Sequence, residues 1–79
     1  MIHRELIRTS EGDVTAEFEP AEEGGYIVRF PAIAHLATEG GSLDDARAMA
    51  ADCLQGYIET LRELGRPLPQ HEPHRLSTG

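Results

Sequence analysis

Between Gly24 and Ala46 each junction of the chain carries the residue that one geometry needs, and this run constrains the fold more than any other. Gly24-Gly25 offers a turn, after which Tyr26, Val28 and Phe30 fall on one side of an extended segment and Ile27 and Arg29 on the other. Pro31 has no amide to give to a ladder, so regular pairing should stop there. After a short link, Thr38-Glu39-Gly40-Gly41 turns the chain into Ser42-Leu43-Asp44-Asp45-Ala46, the start of a helix. The Ser42 hydroxyl can accept a hydrogen bond from the Asp45 amide, and Asp45 is placed to reach back to the Ser42 amide, with a shorter arm than the usual Glu. Asp44 and Asp45 also put negative charge where the helix dipole favours it. Ala32 to Ala37 has helical propensity, but Pro31 before it and Thr38 to Gly41 after it leave little room. A loop and a short strand near Leu36–Glu39 are expected instead.

The flanking segments fit the same scheme. Residues 2–9 read as a strand, Ser10-Glu11-Gly12-Asp13 as a turn, and Val14, Ala16 and Phe18 alternate with Thr15, Glu17 and Glu19. Period two with one polar side describes a half-buried antiparallel strand, here ended by Pro20 and a solvated loop, Ala21 to Gly25. Beyond Ser42, Leu43, Ala46, Ala50, Cys53, Tyr57, Leu61 and Leu64 recur at steps of three and four, and Met49, Leu54 and Ile58 widen the stripe. Arg47, Asp52, Gln55, Glu59, Arg62 and Glu63 occupy the other side. Gly65 suits a left-handed cap and Pro67 prevents the helix from resuming. At about 22 residues the helix would be about 33 Å long, and it should overhang strands of six or seven residues.

Seventy-nine residues make one small domain, close to the size limit for a single core of one helix on one sheet, so oligomerisation or docking on a partner is expected. The net charge is −7, from seven Arg and no Lys against fourteen Asp and Glu. Such a field disfavours direct nucleic-acid binding and anionic lipid, keeps small proteins soluble, and attracts basic partners. One cysteine cannot close an internal disulfide. No apolar run approaches a membrane span, and Met1 to Glu5 lacks the apolar core of a signal peptide. A cytoplasmic location is expected.

Residue types with possible chemistry do not assemble into a catalytic or metal-binding pattern. His71-Glu72-Pro73-His74 has ligand types, but Pro73 makes it extended and nothing upstream completes a tetrahedron. His35 follows the strand-ending proline without a nucleophile near it, and reads as a surface or partner-contact histidine. Cys53 lies on the apolar stripe and has Asp52, not a base, beside it, as befits an inert packing thiol. Gly40-Gly41-Ser42 resembles an anion-binding turn in outline, but Asp44 and Asp45 already hold negative charge there. Asp45 and Asp52 are two turns apart, about 10 Å, too far for one ion to bridge. Neither catalytic residues nor cofactors are expected.

Gly25-Tyr26-Ile27-Val28-Arg29-Phe30-Pro31, Thr38-Glu39-Gly40, Ser42-Leu43-Asp44-Asp45-Ala46 and Leu64-Gly65-Arg66-Pro67-Leu68-Pro69 together resemble the HicB-like antitoxin family. That family shows a Gly-Tyr strand ending in Phe-Pro, a Thr-Gln-Gly turn, a Thr-Leu-Glu-Glu-Ala helix start and a closing Gly-x-Pro-x-Pro. The likeness covers roughly residues 13–69. It departs after Phe30-Pro31, where Ala32-Ile33-Ala34-His35-Leu36 stands in place of Asp-Leu-Pro-Gly-Cys. The resemblance implies an α+β domain over residues 1–69, a three- to four-stranded antiparallel sheet with one long helix packed across one face; residues 70–79, with little to bury, read from their composition as a flexible tail. It further implies an antitoxin-like role, in which the domain binds and occludes a small basic RNA-cleaving toxin of the HicA type, with no catalysis of its own. Tyr26, Phe30, Pro31, Gly40, Ser42 and Gly65 would be structural; His35, Glu39, Asp44 and Asp45 would face the partner. Many members add a DNA-binding segment, and nothing after Gly65 reads as one. The alternative is a stand-alone oligomeric domain acting as a scaffold or small-ligand binder without a toxin.

Overall fold

The computed structural model describes residues 1–68. The expected mobile tail and the His71–His74 cluster lie outside the described residues. Four strands form one antiparallel meander in the order β1 (His3–Thr9), β2 (Gly12–Pro20), β3 (Tyr26–Phe30), β4 (Ile33–Gly40), and a 22-residue helix, α1 (Leu43–Leu64), packs on one face. This is the α+β architecture that the resemblance implies.

Register follows the side-chain pattern. Phe18 pairs with His3 and Val28, Ala16 with Glu5, and Val14 with Ile7, so the alternating apolar set of β2 and β3 turns to the helix together. The core is Val14, Ala16, Phe18, Val28, Phe30 and Ile33 from the sheet against Ala46, Ala50, Leu54, Ile58 and Leu61 from the helix, closed by Leu68 where the chain folds back. Strand β1 contributes no fully buried side chain; Ile7 packs only partly.

Three expectations change. The segment after Pro31 is a single strand from Ile33 to Gly40, not a loop with a short strand at Leu36–Glu39. Phe30-Pro31-Ala32-Ile33 makes a tight reversal in which Phe30 pairs with Ile33, and an irregularity between Arg29 and Phe30 then lets Ala37 pair with Arg29. The proline ends β3 by turning it back, and burial of Ile33 outweighs helical propensity. Secondly, the buried helix stripe is centred on Ala46, Ala50, Leu54, Ile58 and Leu61. Leu43, Cys53 and Tyr57 flank it, while Met49 (40% exposed) and Leu64 (62% exposed) fall outside. Thirdly, Arg47 and Arg62 on the expected solvent face reach back to the sheet: Arg47 pairs with Glu5 of β1, and Arg62 bonds Ser10 and Glu11 in the first hairpin turn. Gly65 does close the helix in the left-handed region, at φ 70°.

Among the described residues, the other face of the sheet carries no second layer. Its ladder runs Arg4–Glu17–Arg29–Ala37 in one row and Glu19–Ile27–Glu39 in the next, with Leu6 opposite Thr15 and Arg8 opposite Asp13. Arg4 bonds Glu17 at 2.9 Å and Arg29 bonds Glu19 at 2.5 Å.

Gly56 sits in the exposed middle of α1, and a Cβ there meets nothing within 4 Å. Gly56→Ala should therefore stabilise the domain by about 0.5–1 kcal/mol, through helix propensity and a less flexible unfolded chain. Thermal unfolding followed by circular dichroism should show the midpoint rise by a few degrees.

Candidate partner-binding site

The site is built where β4 hands over to α1. Gly40 lies directly beneath the first turn of the helix: a Cβ on it would stand 2.4 Å from the Ala46 nitrogen and 2.6 Å from its Cα. Only a residue without a side chain lets the helix start lie so close to the strand end. Ser42 is extended (φ −147°, ψ 173°) and its hydroxyl accepts from the Asp45 amide at 3.0 Å, as the cap requires. The return bond differs from expectation. Asp45 Oδ2 accepts from the Gly41 amide at 2.8 Å, one residue before the cap, so the short aspartate serves the turn instead of Ser42.

Beside this turn lies an open depression of about 420 Å³ between the β2–β3 loop and the β4–α1 turn. Glu23, Glu39 and Asp45 line it together with Tyr26, Ile27 and backbone of the glycines, and no lining residue is basic. Glu39 and Asp45 are thus brought together. Glu23 joins them because the β2–β3 loop closes over the same end of the sheet; in the sequence it was indistinguishable from any solvated loop acid. Asp44 is next to the depression but points outward, with its side chain 92% exposed and an i,i+3 ion pair to Arg47 at 3.0 Å. His35 is not part of this group. It is exposed near the start of β4, four residues and about 13 Å of strand from Glu39, with its ring edge-on to Tyr57 at 6.5 Å. Among the residues assigned structural roles, Phe30 is buried, Tyr26 is half-buried opposite Gly40, and Pro31 occupies the reversal into β4.

A second polar cluster locks β1 to the helix. Arg47 donates from Nε to both Glu5 oxygens at 3.0 Å and from Nη2 to Oε2 at 2.6 Å, while His3 Nε2 lies 2.6 Å from the same oxygen. The Arg47 hydrogen bonds, then that of His3, push the Glu5 carboxyl down to about 2, and the carboxylate in turn raises the Arg47 guanidinium. A depressed carboxyl contributes stability that is present above its unfolded value and lost as pH falls through its folded one. The wild-type domain should lose this contribution between about pH 5 and pH 2. Because the pair is open to solvent, the effect is on the order of 1 kcal/mol. Glu5→Gln should flatten that part of the stability–pH curve in urea titrations. Burial, then Asp52, pushes the Cys53 thiol up, so it stays protonated near neutral pH and is a poor nucleophile.

No helix among the described residues is long and apolar enough to cross a membrane. No protein-family model matches the chain, and no solved structure matches it. Among curated proteins, antitoxin HicB 1 of Photorhabdus laumondii subsp. laumondii is 38% identical over 71 residues, which are 90% of this chain and 44% of that protein. The chain therefore spans less than half the length of the curated relative it matches. Strand, turn, capped helix and closing glycine occur in the order that the motifs imply, on an α+β fold, and the sequence identity extends across nine-tenths of the chain. The chain belongs to the HicB-like antitoxin family.

Proposed function

We propose that this chain is an antitoxin-like protein that binds a small basic RNA-cleaving toxin of the HicA type and silences it by covering its working surface. The observation that carries this reading is the depression at the end of the sheet, where Glu23, Glu39 and Asp45 line one recess without a basic neighbour. A positively charged, RNA-binding surface meets there the charge it otherwise finds on phosphates. In that geometry electrostatics governs encounter and register, and steric cover supplies the inhibition. Glu39, Asp44 and Asp45 are the main contacts, and His35 at the far end of β4 is a peripheral one. The domain acts without cofactor, metal or catalysis, in the cytoplasm, and binds no nucleic acid itself.

Charge reversal tests this directly. Glu39→Lys with Asp44→Lys leaves the Ser42–Asp45–Gly41 bonds untouched and should weaken toxin affinity by about tenfold or more, and reduce its dependence on salt. Asp45→Lys adds to the loss but removes the turn bond, so its folding is checked by circular dichroism. Unchanged affinity and unchanged salt dependence would remove the electrostatic part of the account. The second reading, an oligomeric scaffold or small-ligand binder with no toxin, is favoured by the sheet face that the described residues leave uncovered; recovery of the chain from its host without any bound basic protein supports it.

A further inference from the structure

We infer that β1 is a releasable strap. It leaves β2 as a unit while β2, β3, β4 and α1 stay folded, it swings on the Ser10–Gly12 turn, and the Glu5–Arg47 pair is its latch. Burial carries this inference. Among the described residues, every buried core side chain comes from β2, β3, β4, α1 or Leu68, and none from β1. The β1 side chains on the helix side lie opposite Phe18, Ala16 and Val14; they are His3, Glu5 and the half-buried Ile7. A strand that buries so little apolar area lacks the main source of folding stability. Such a segment opens at less cost than the whole domain. Gly12, at the end of the turn, takes φ 130°, a conformation that residues with a side chain rarely adopt.

Beyond its ladder to β2, charge holds the strap. On the helix side Arg47 grips both oxygens of Glu5, His3 shares that carboxylate, and Asp44 shares Arg47. β2 brings no charged group to this side, where it presents Val14, Ala16 and Phe18. On the outer side Arg4 bonds Glu17, and Arg8 stands opposite Asp13. Arg4 is 64% exposed and gives Glu17 a single bond, whereas Glu5 accepts three from Arg47, so the latch is the stronger hold. About 22 Å further along α1, Arg62 bonds Ser10 and Glu11 and pins the turn. One end is thus anchored and the other latched. Release leaves a three-stranded sheet with β2 as its edge and the β2 backbone open to pairing.

Native-state hydrogen exchange of the full chain near neutral pH, followed amide by amide by NMR, tests the inference. The slowest amides of β1 should exchange about tenfold or more faster than the slowest of β3 and α1. Their opening should respond only weakly to added urea, because a strap exposes little surface. Two variants separate the strap from its latch. Ile33→Val trims a buried side chain on β4, at the opposite edge of the sheet, and should speed the core amides about fivefold. The β1 amides of that variant should stay within about twofold of wild type, since the closed and released forms both keep Ile33 buried. Glu5→Gln should speed the β1 amides about fivefold while the circular dichroism spectrum stays native. If Ile33→Val speeds β1 as much as the core, β1 opens only with the whole domain and the strap is overturned. If Glu5→Gln leaves the β1 amides unchanged, the latch is overturned. No basic protein is present in these experiments, so neither result bears on the antitoxin reading.

Discussion

Gly40→Ala should leave the domain largely unfolded at physiological temperature. The added methyl would sit 2.4 Å from one backbone atom, 2.6 Å from a second and 2.8 Å from a third, all in the first turn of α1. Backbone cannot swing aside like the end of a flexible side chain. The helix start must lift off β4, which strips Ala46 from its fully buried place and breaks the Ser42–Asp45–Gly41 bonds. Overpacking of this kind costs about 3 kcal/mol, or roughly 12–24 °C in melting temperature for a domain of this size. The paired control is Gly56→Ala, the same substitution made in open space in the middle of α1, which should move the midpoint upward. If the two variants melted within a few degrees of each other, the close approach of helix and strand would be wrong.

Phe18→Ala is expected to be of equal severity by the opposite route. Phe18 is fully buried in the middle of β2, between His3 of β1 and Val28 of β3, and is one of only two phenylalanines in a chain without tryptophan. The first two buried residues of the helix are alanines, 46 and 50, which have no side-chain volume to give to the space the ring leaves. Removing the ring should cost about 3–5 kcal/mol, much of what a domain this small possesses. Urea unfolding should show a midpoint near zero denaturant. A loss below about 1 kcal/mol would mean that the sheet–helix core is not assembled around this residue.

What the sequence conveyed well were features set by local chemistry. The alternation in β2 and β3 and the cap–stop pair Ser42 and Gly65 each require a residue type at one position, so they survive without tertiary knowledge. Where tertiary packing decided, the residues were ambiguous. Ala32 to Leu36 has weak propensity of any kind, and only the burial of Ile33 and the pairing of Phe30 with Ile33 make it strand. The helix stripe was broad enough to be centred in two ways, and the shape of the sheet chose Leu54 and Ile58 over Met49 and Leu64. The site was legible in part. Glu39 and Asp45 come together because the Gly40-Gly41 turn folds the chain over, whereas Glu23 arrives from a loop whose closure no short motif encodes. His35, expected in a loop ahead of a short strand at Leu36–Glu39, instead lies within the eight-residue β4, four residues from Glu39. The reach of Arg47 to Glu5, across 42 residues, had no sequence signal at all.

The central claim is that the domain silences a basic RNA-cleaving partner through its acidic side. The most direct measurement is to recover the tagged chain from its native host, separate what comes with it, and assay that material for RNA cleavage with and without the chain added back. The account predicts a small basic protein that cleaves RNA when freed, falls silent when an equimolar amount of the chain is restored, and regains activity as salt rises to about 0.5 M. Recovery of the chain without such a protein, or RNA cleavage that continues in its saturating presence, would contradict it.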